Sequence, residues 1–164
     1  MSATAKQSSA KKATVTKTSD RTVRIERVFD ASRERVWEAM TKPELVAQWW
    51  GRGNKLDVEK LELKRGGHWR FVEHAGGETH GFEGRYAEVD PPSKLVYSFE
   101  WDGMPAHAIL ETIVLEDLGD GKTKMVTDAL CMTADDFNGF LSSGMEGGMN
   151  ESFAALDRVL AGGW

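Results

Sequence analysis

Apolar residues first recur at every second place. Val23, Ile25 and Phe29 do so within Thr22–Phe29, as in a half-buried strand. The period then lengthens. Val36, Trp37 and Met40 make one face of a helix over 32–40. Pro43 suits the start of a second short helix, whose apolar face is Leu45, Val46, Trp49 and Trp50 and whose end is marked by Gly51 and Gly53. Six strands follow, near 55–63, 67–74, 79–89, 94–101, 107–117 and 122–131. The turn signals between them are Gly66-Gly67, Gly76-Gly77, Pro91-Pro92, Asp102-Gly103 and Asp120-Gly121. Trp69 and Phe71 share a face, as do Phe82 and Tyr86, and Leu95, Tyr97, Phe99 and Trp101 form an apolar row. Such alternation with short turns predicts an antiparallel sheet in sequential order. Gly81 and Gly84 within one strand predict a bulge or bend that curves it.

Helical spacing returns at the C-terminus. Met145, Met149, Phe153, Leu156 and Leu160 form one stripe. Thr133 with Asp136, and Ser143 with Glu146, resemble capping boxes. They predict a short helix at 134–141, a break near Gly144 and a helix to about Ala161, stopped by Gly162-Gly163. The fold class is therefore α+β: a curved antiparallel sheet, in the order β-α-α-β6-α, wrapped around a long C-terminal helix. A bent sheet cannot touch a straight helix along its whole length, and the space left between them is where a small molecule would go.

Composition narrows the function. In 164 residues, 40% hydrophobic and 29% charged, one packed domain is expected. A net charge of −5 argues against nucleic-acid binding by bulk charge. No apolar run approaches a membrane span, so no membrane insertion is expected. The single cysteine, Cys131, precludes an intrachain disulfide and reads as strand-end packing. These features suggest a soluble, cytoplasmic domain. Residues 1–20 carry four lysines against one aspartate and no aromatic. They read as a solvated, mostly disordered basic tail, with an arm for an acidic partner as the alternative, and leave 21–164 as the domain.

Several short segments carry a resemblance. Arg27-Val28-Phe29-Asp30-Ala31, Val36-Trp37, Thr41-Lys42-Pro43-Glu44-Leu45 and Trp49-Trp50-Gly51 are followed by Gly66-Gly67-His68-Trp69, Gly84, Pro91-Pro92, Leu95 and Leu156-Asp157. In this order they resemble bacterial homologues of the C-terminal domain of the heat-shock protein 90 ATPase activator, within the START-like (SRPBCC, helix-grip) superfamily. The resemblance spans 21–161; Ser32 stands where the family usually has proline. It implies a grip around a cavity but no particular reaction. Members of the superfamily bind lipids, hormones or polyketides, and some are cyclases. A link to the stress response rests on the family name alone. In the eukaryotic activator a separate N-terminal domain is important for chaperone stimulation, and none fits within these 164 residues.

Candidate ligand contacts follow. Trp69, Phe71, Phe82, Tyr86, Tyr97, Phe99, Trp101, Met145, Met149 and Phe153 are core or pocket wall, whereas Trp37, Trp49 and Leu156 read as core. The tyrosine hydroxyls could orient a ligand, and methionine suits loose specificity. Arg27 shares the interior face of its strand. Either it frays to the rim in water, or it pairs with Glu111, which alternates with Ile109 and Ile113. His68 and His74 should face away from Trp69, while His80 could reach the cavity mouth. No metal-ligand spacing, no catalytic set and no cofactor motif is evident. The leading expectation is a carrier or sensor of a small hydrophobic ligand. An enzyme of cyclase or hydrolase type would need at least two titratable groups converging in the cavity with perturbed pKa values, with Arg27, Glu111, Tyr86 and His80 as the set to inspect. A co-chaperone-like interaction module would show an exposed apolar patch near Trp49–Trp50 or Trp164. A homodimer is left open.

Overall fold

The computed structural model describes residues 12–164. β1 (Thr14–Lys17) and β2 (Thr22–Phe29) precede two short helices, α1 (Arg33–Thr41) and α2 (Pro43–Trp49). Six strands follow: β3 (Lys55–Leu61), β4 (His68–Ala75), β5 (Glu78–Asp90), β6 (Lys94–Trp101), β7 (Ile109–Gly119) and β8 (Lys122–Cys131). Helices α3 (Ala134–Ser142) and α4 (Met145–Leu160) complete the chain. All strand pairs are antiparallel, in the order β1-β2-β8-β7-β6-β5-β4-β3. The α+β helix-grip architecture is thus the one expected, with an additional edge strand.

That edge strand corrects the tail boundary. Thr14 to Lys17 pair with Glu26 to Val23, because Thr-Val-Thr is as good a strand former as the segment it lies beside. The expectation for residues 1–11 falls outside the described residues. Two local signals also read differently. Thr133 caps α3 through Asp136 N–H at 3.0 Å, as its motif predicts. Ser143 does not cap α4: its hydroxyl donates to the Phe140 carbonyl at 2.7 Å, and left-handed Gly144 turns the chain instead. Gly81 and Gly84 are not at the bulge, which lies between Tyr86 and Glu88. They mark close approach: a Cβ on Gly84 would stand 1.8 Å from the Ser98 carbonyl oxygen, and one on Gly81 2.1 Å from an Asp102 carboxylate oxygen.

Alternation sends Ile25, Phe29, Trp69, Phe71, Leu95, Ile113 and Met125 inward, and the helices cover that face. The helix over it is buried unevenly. Phe153, Ala155, Leu156, Val159 and Leu160 are buried, while Met145 and Met149 one to two turns earlier are only partly covered. Two links bind the C-terminal half of α4 to β2. The Phe29 and Phe153 rings meet edge to face at 5.4 Å. Arg27 donates two parallel hydrogen bonds to Asp157, at 2.7 and 2.6 Å, and lies 4.6 Å over the Phe29 ring.

Arg27 is therefore interior, as its parity predicts, but both expected settings need correction: it neither frays into water nor pairs with Glu111. Register is the reason. Arg27 is level with Met125, and Met125 with Leu115, four residues along β7 from Glu111. At about 3.3 Å per residue the two side chains are some 13 Å apart along the sheet, with β8 between their strands.

The guanidinium is 3% exposed and Asp157 31%, so loss of the carboxylate takes two charge-assisted hydrogen bonds from the more deeply buried charge. Asp157→Ala should lower the free energy of unfolding by about 3 kcal/mol, and Arg27→Met by less, since a linear apolar side chain tolerates the site. Urea denaturation measures both. Equal small losses, under about 1 kcal/mol, would mean that the pair does not secure the helix.

Candidate functional site

Between the sheet and the N-terminal half of α4 lies a hollow of about 330 Å³, with a recess of about 50 Å³ behind Trp50 and Tyr97. Trp50 governs its shape. It ends α2 in an extended conformation, so its ring leaves the helix face and enters the sheet aromatics. Its centroid is 5.1 Å from that of Phe82, 5.2 Å from Phe71, 6.2 Å from Trp69 and 6.3 Å from Phe99. Phe82 stacks on Phe99 at 5.4 Å. Trp49, on the other side, donates from its indole N–H to the Ala39 carbonyl at 2.8 Å and also borders the hollow.

Most sequence-selected residues meet here. Phe82, Tyr97, Phe99, Glu111, Met145, Met149 and Phe153 line the hollow, and Trp69, Phe71 and Tyr86 line the recess. Arg27 does not reach it, being held by Asp157. Trp101 does not either. It lies level with Phe82, past the Phe99–Ile109 pair where β7 begins, and so remains 38% exposed beside Gly103 and His80. His80 has its ring 6.2 Å from Trp101 and does not line the hollow. Of the set considered for an enzyme, Arg27 and His80 stay outside, while Glu111 and Tyr86 both neighbour Tyr97. The expected patch at Trp49–Trp50 is absent too, because Trp49 is buried and Trp50 faces inward. Trp164 does stay exposed, at 40%, with the Arg35 guanidinium over one face, 4.0 Å from its ring.

The mouth has polar residues that sequence reading missed. Gly51, Arg52 and Gly53 are successively left-handed, with φ of 76°, 63° and 78°. This tight loop directs Arg52 onto Glu73, whose Oε2 accepts from Arg52 Nε at 3.1 Å, Arg52 Nη2 at 2.8 Å and Asn54 Nδ2 at 2.7 Å. Arg52 N–H also donates to Ser152 Oγ at 2.9 Å, fastening the loop to α4. Glu73 was findable, since it continues the inward parity of Trp69 and Phe71. Trp50 was not, because its direction depends on where α2 stops.

Inside, Glu111 and Tyr97 are cross-strand neighbours, close enough for each to shift the other's protonation. Burial pushes the Glu111 carboxyl above its ordinary range, against the opposing effect of the Tyr97 hydrogen bond. Burial, and then the Glu111 charge, push the Tyr97 phenol well up; burial alone raises Tyr86. Elsewhere, His68 pairs with Glu83, His74 with Asp57 and His107 with Asp136. Among the described residues no group of three or more His, Cys, Asp or Glu is placed to hold a metal ion. Cys131 is buried with Val23, Ala129 and Phe137, and burial raises its pKa. Among the described residues no helix is long and apolar enough to cross a membrane.

A raised carboxyl pKa means that the folded state retains the proton longer than the unfolded chain. Stability is then lost as pH rises from the ordinary value of 4.5 through the raised one. Relative to the parent, Glu111→Gln should gain melting temperature across that window, by about 2–4 °C, and show no gain below it. The difference between the two thermal profiles cancels the exposed carboxylates common to both. A gain that is the same at every pH would contradict the assignment.

Comparison with known proteins agrees with this architecture. The family model described as Activator of Hsp90 ATPase homolog 1-like protein matches residues 30–161. A crystal structure of a Rhodobacter sphaeroides protein is 28% identical, covering 92% of this chain and 98% of that one with a TM-score of 0.83. A solution structure from Arthrobacter aurescens is 23% identical, covering 90% and 91% with a TM-score of 0.82. DynU16, a protein in the dynemicin biosynthetic locus, is 23% identical; the match covers 87% of this chain and 48% of DynU16, with a TM-score of 0.64. A comparison with curated proteins gives no match.

Proposed function

The chain belongs to the activator of Hsp90 ATPase homolog 1-like family, and on that premise we propose that it binds a small, mainly apolar molecule as a carrier or sensor. The hollow supports this most directly. About 330 Å³ is within the range of ligand pockets, and aromatic and methionine side chains from two layers surround it. The helix-grip fold commonly binds hydrophobic ligands. The hollow is also mainly apolar, being lined by Trp49, Trp50, Phe82, Phe99 and Phe153, which sets it apart from the polar groove beside Lys122 and Lys124.

The lining suits a ligand recognised by shape. Met145 and Met149 have flexible, polarisable side chains that adjust to an irregular guest. Phe82, Phe99 and Trp50 offer ring faces at fixed spacing. The reading places the carrier in the cytoplasm, where a lone thiol stays reduced. Carriage is favoured over turnover because two of the four groups considered for catalysis stand outside the hollow: Arg27 is tied to Asp157, and His80 lies beside Trp101.

The neutral naphthalene fluorophore Prodan tests the proposal. Saturable binding with a blue-shifted emission is expected, at one molecule per chain and with a negative heat-capacity change. Met149→Trp should fill the hollow and weaken binding by about tenfold or more. Failure of Prodan to bind, or equal binding to the variant, would refute an interior site.

A further inference from the structure

We propose that the ligand carries a hydrogen-bond donor, a hydroxyl or a protonated amine, which seats against the Glu111 carboxylate, and that carboxylates of the same shape are rejected. This rests on the reading of the hollow as a ligand site. Glu111 projects from the inward face of β7 into an otherwise greasy surface and lines the hollow itself. In its carboxylate form the group accepts on two oxygens, and the single Tyr97 hydroxyl across the strand can fill only part of that capacity. The rest is open to a guest.

The charges around the hollow point the same way. On β2, Arg27 is engaged by Asp157. At the mouth, Arg52 directs both Nε and Nη2 onto Glu73, so its charge is already matched. From β8 the polar contribution is Thr127, from α4 Ser152, and from β5 and β6 the two tyrosines, all neutral. An anionic headgroup would therefore meet Glu111 with no free cation among the described lining residues. A donor would pair with a half-buried acceptor that faces the hollow.

Four naphthyl compounds of similar shape separate the possibilities: naphthalene, 2-naphthol, 2-naphthylmethylamine and 2-naphthoate, titrated calorimetrically at neutral pH into the full chain. The naphthol and the amine should bind about tenfold or more tightly than naphthoate, with naphthalene between. Glu111→Gln should remove most of the amine's advantage and relieve the naphthoate penalty while leaving naphthalene within about twofold. Tyr97→Phe, which frees acceptor capacity on Glu111, should preserve the preference for donors. If naphthalene binds but the other three rank without regard to charge, or if Glu111→Gln leaves their order intact, the Glu111 seat is wrong although the hollow is a site. A preference lost in Tyr97→Phe but kept in Glu111→Gln would move the seat to Tyr97 and overturn the proposal. If none of the four binds, the reading of the hollow itself fails.

Discussion

A straight rod cannot follow a bowed surface. α4 is sixteen residues long, about 24 Å, and the sheet beneath it bends through bulges in β3 and β5. Contact is therefore concentrated at one end. Phe153, Leu156 and Leu160 seal the C-terminal half, the Phe29 ring meets Phe153, and Arg27 reaches Asp157. Toward its N-terminus the helix is less deeply covered, and Met145 and Met149, partly buried against the core, also border the hollow. The functional reading depends on that asymmetry.

The short helices turn the gap into a chamber. α1 and α2 pack beside α4, and the abrupt stop of α2 sends Trp50 among the sheet aromatics. The left-handed Gly51-Arg52-Gly53 turn then carries the chain across the opening, where Arg52 and Ser152 join the loop to β4 and α4. The same few residues thus end a helix, place an indole and frame the mouth. An arginine in a left-handed conformation is strained, and its three contacts to neighbouring elements hold it there.

How much of this was legible in the amino-acid sequence depends on the range of the signal. Period-two and helical patterning located every strand from β2 to β8, and all four helices, to within a few residues, because those patterns arise from the faces the elements bury. They also put Arg27 and Glu111 on the interior. They could not say which groups meet, since pairing depends on register between strands far apart in the chain: Arg27 is level with Leu115, and its partner comes from a helix 130 residues later. Trp101 shows the same limit, having the right parity but lying beyond the start of β7. β1 was absorbed into a lysine-rich tail because average composition outweighed four strand-forming residues. Ser143 looked like a cap because a local motif does not reveal that its hydroxyl has a nearer carbonyl.

Ligand binding requires a mainly apolar space between the sheet and the first turns of α4. Xenon gas occupies such spaces without needing a polar contact. Crystals of the protein pressurised with xenon should show anomalous scattering beside Met149, Phe99 and Phe153, inside the grip. Xenon confined to the molecular surface, with those side chains closed against one another, would contradict it.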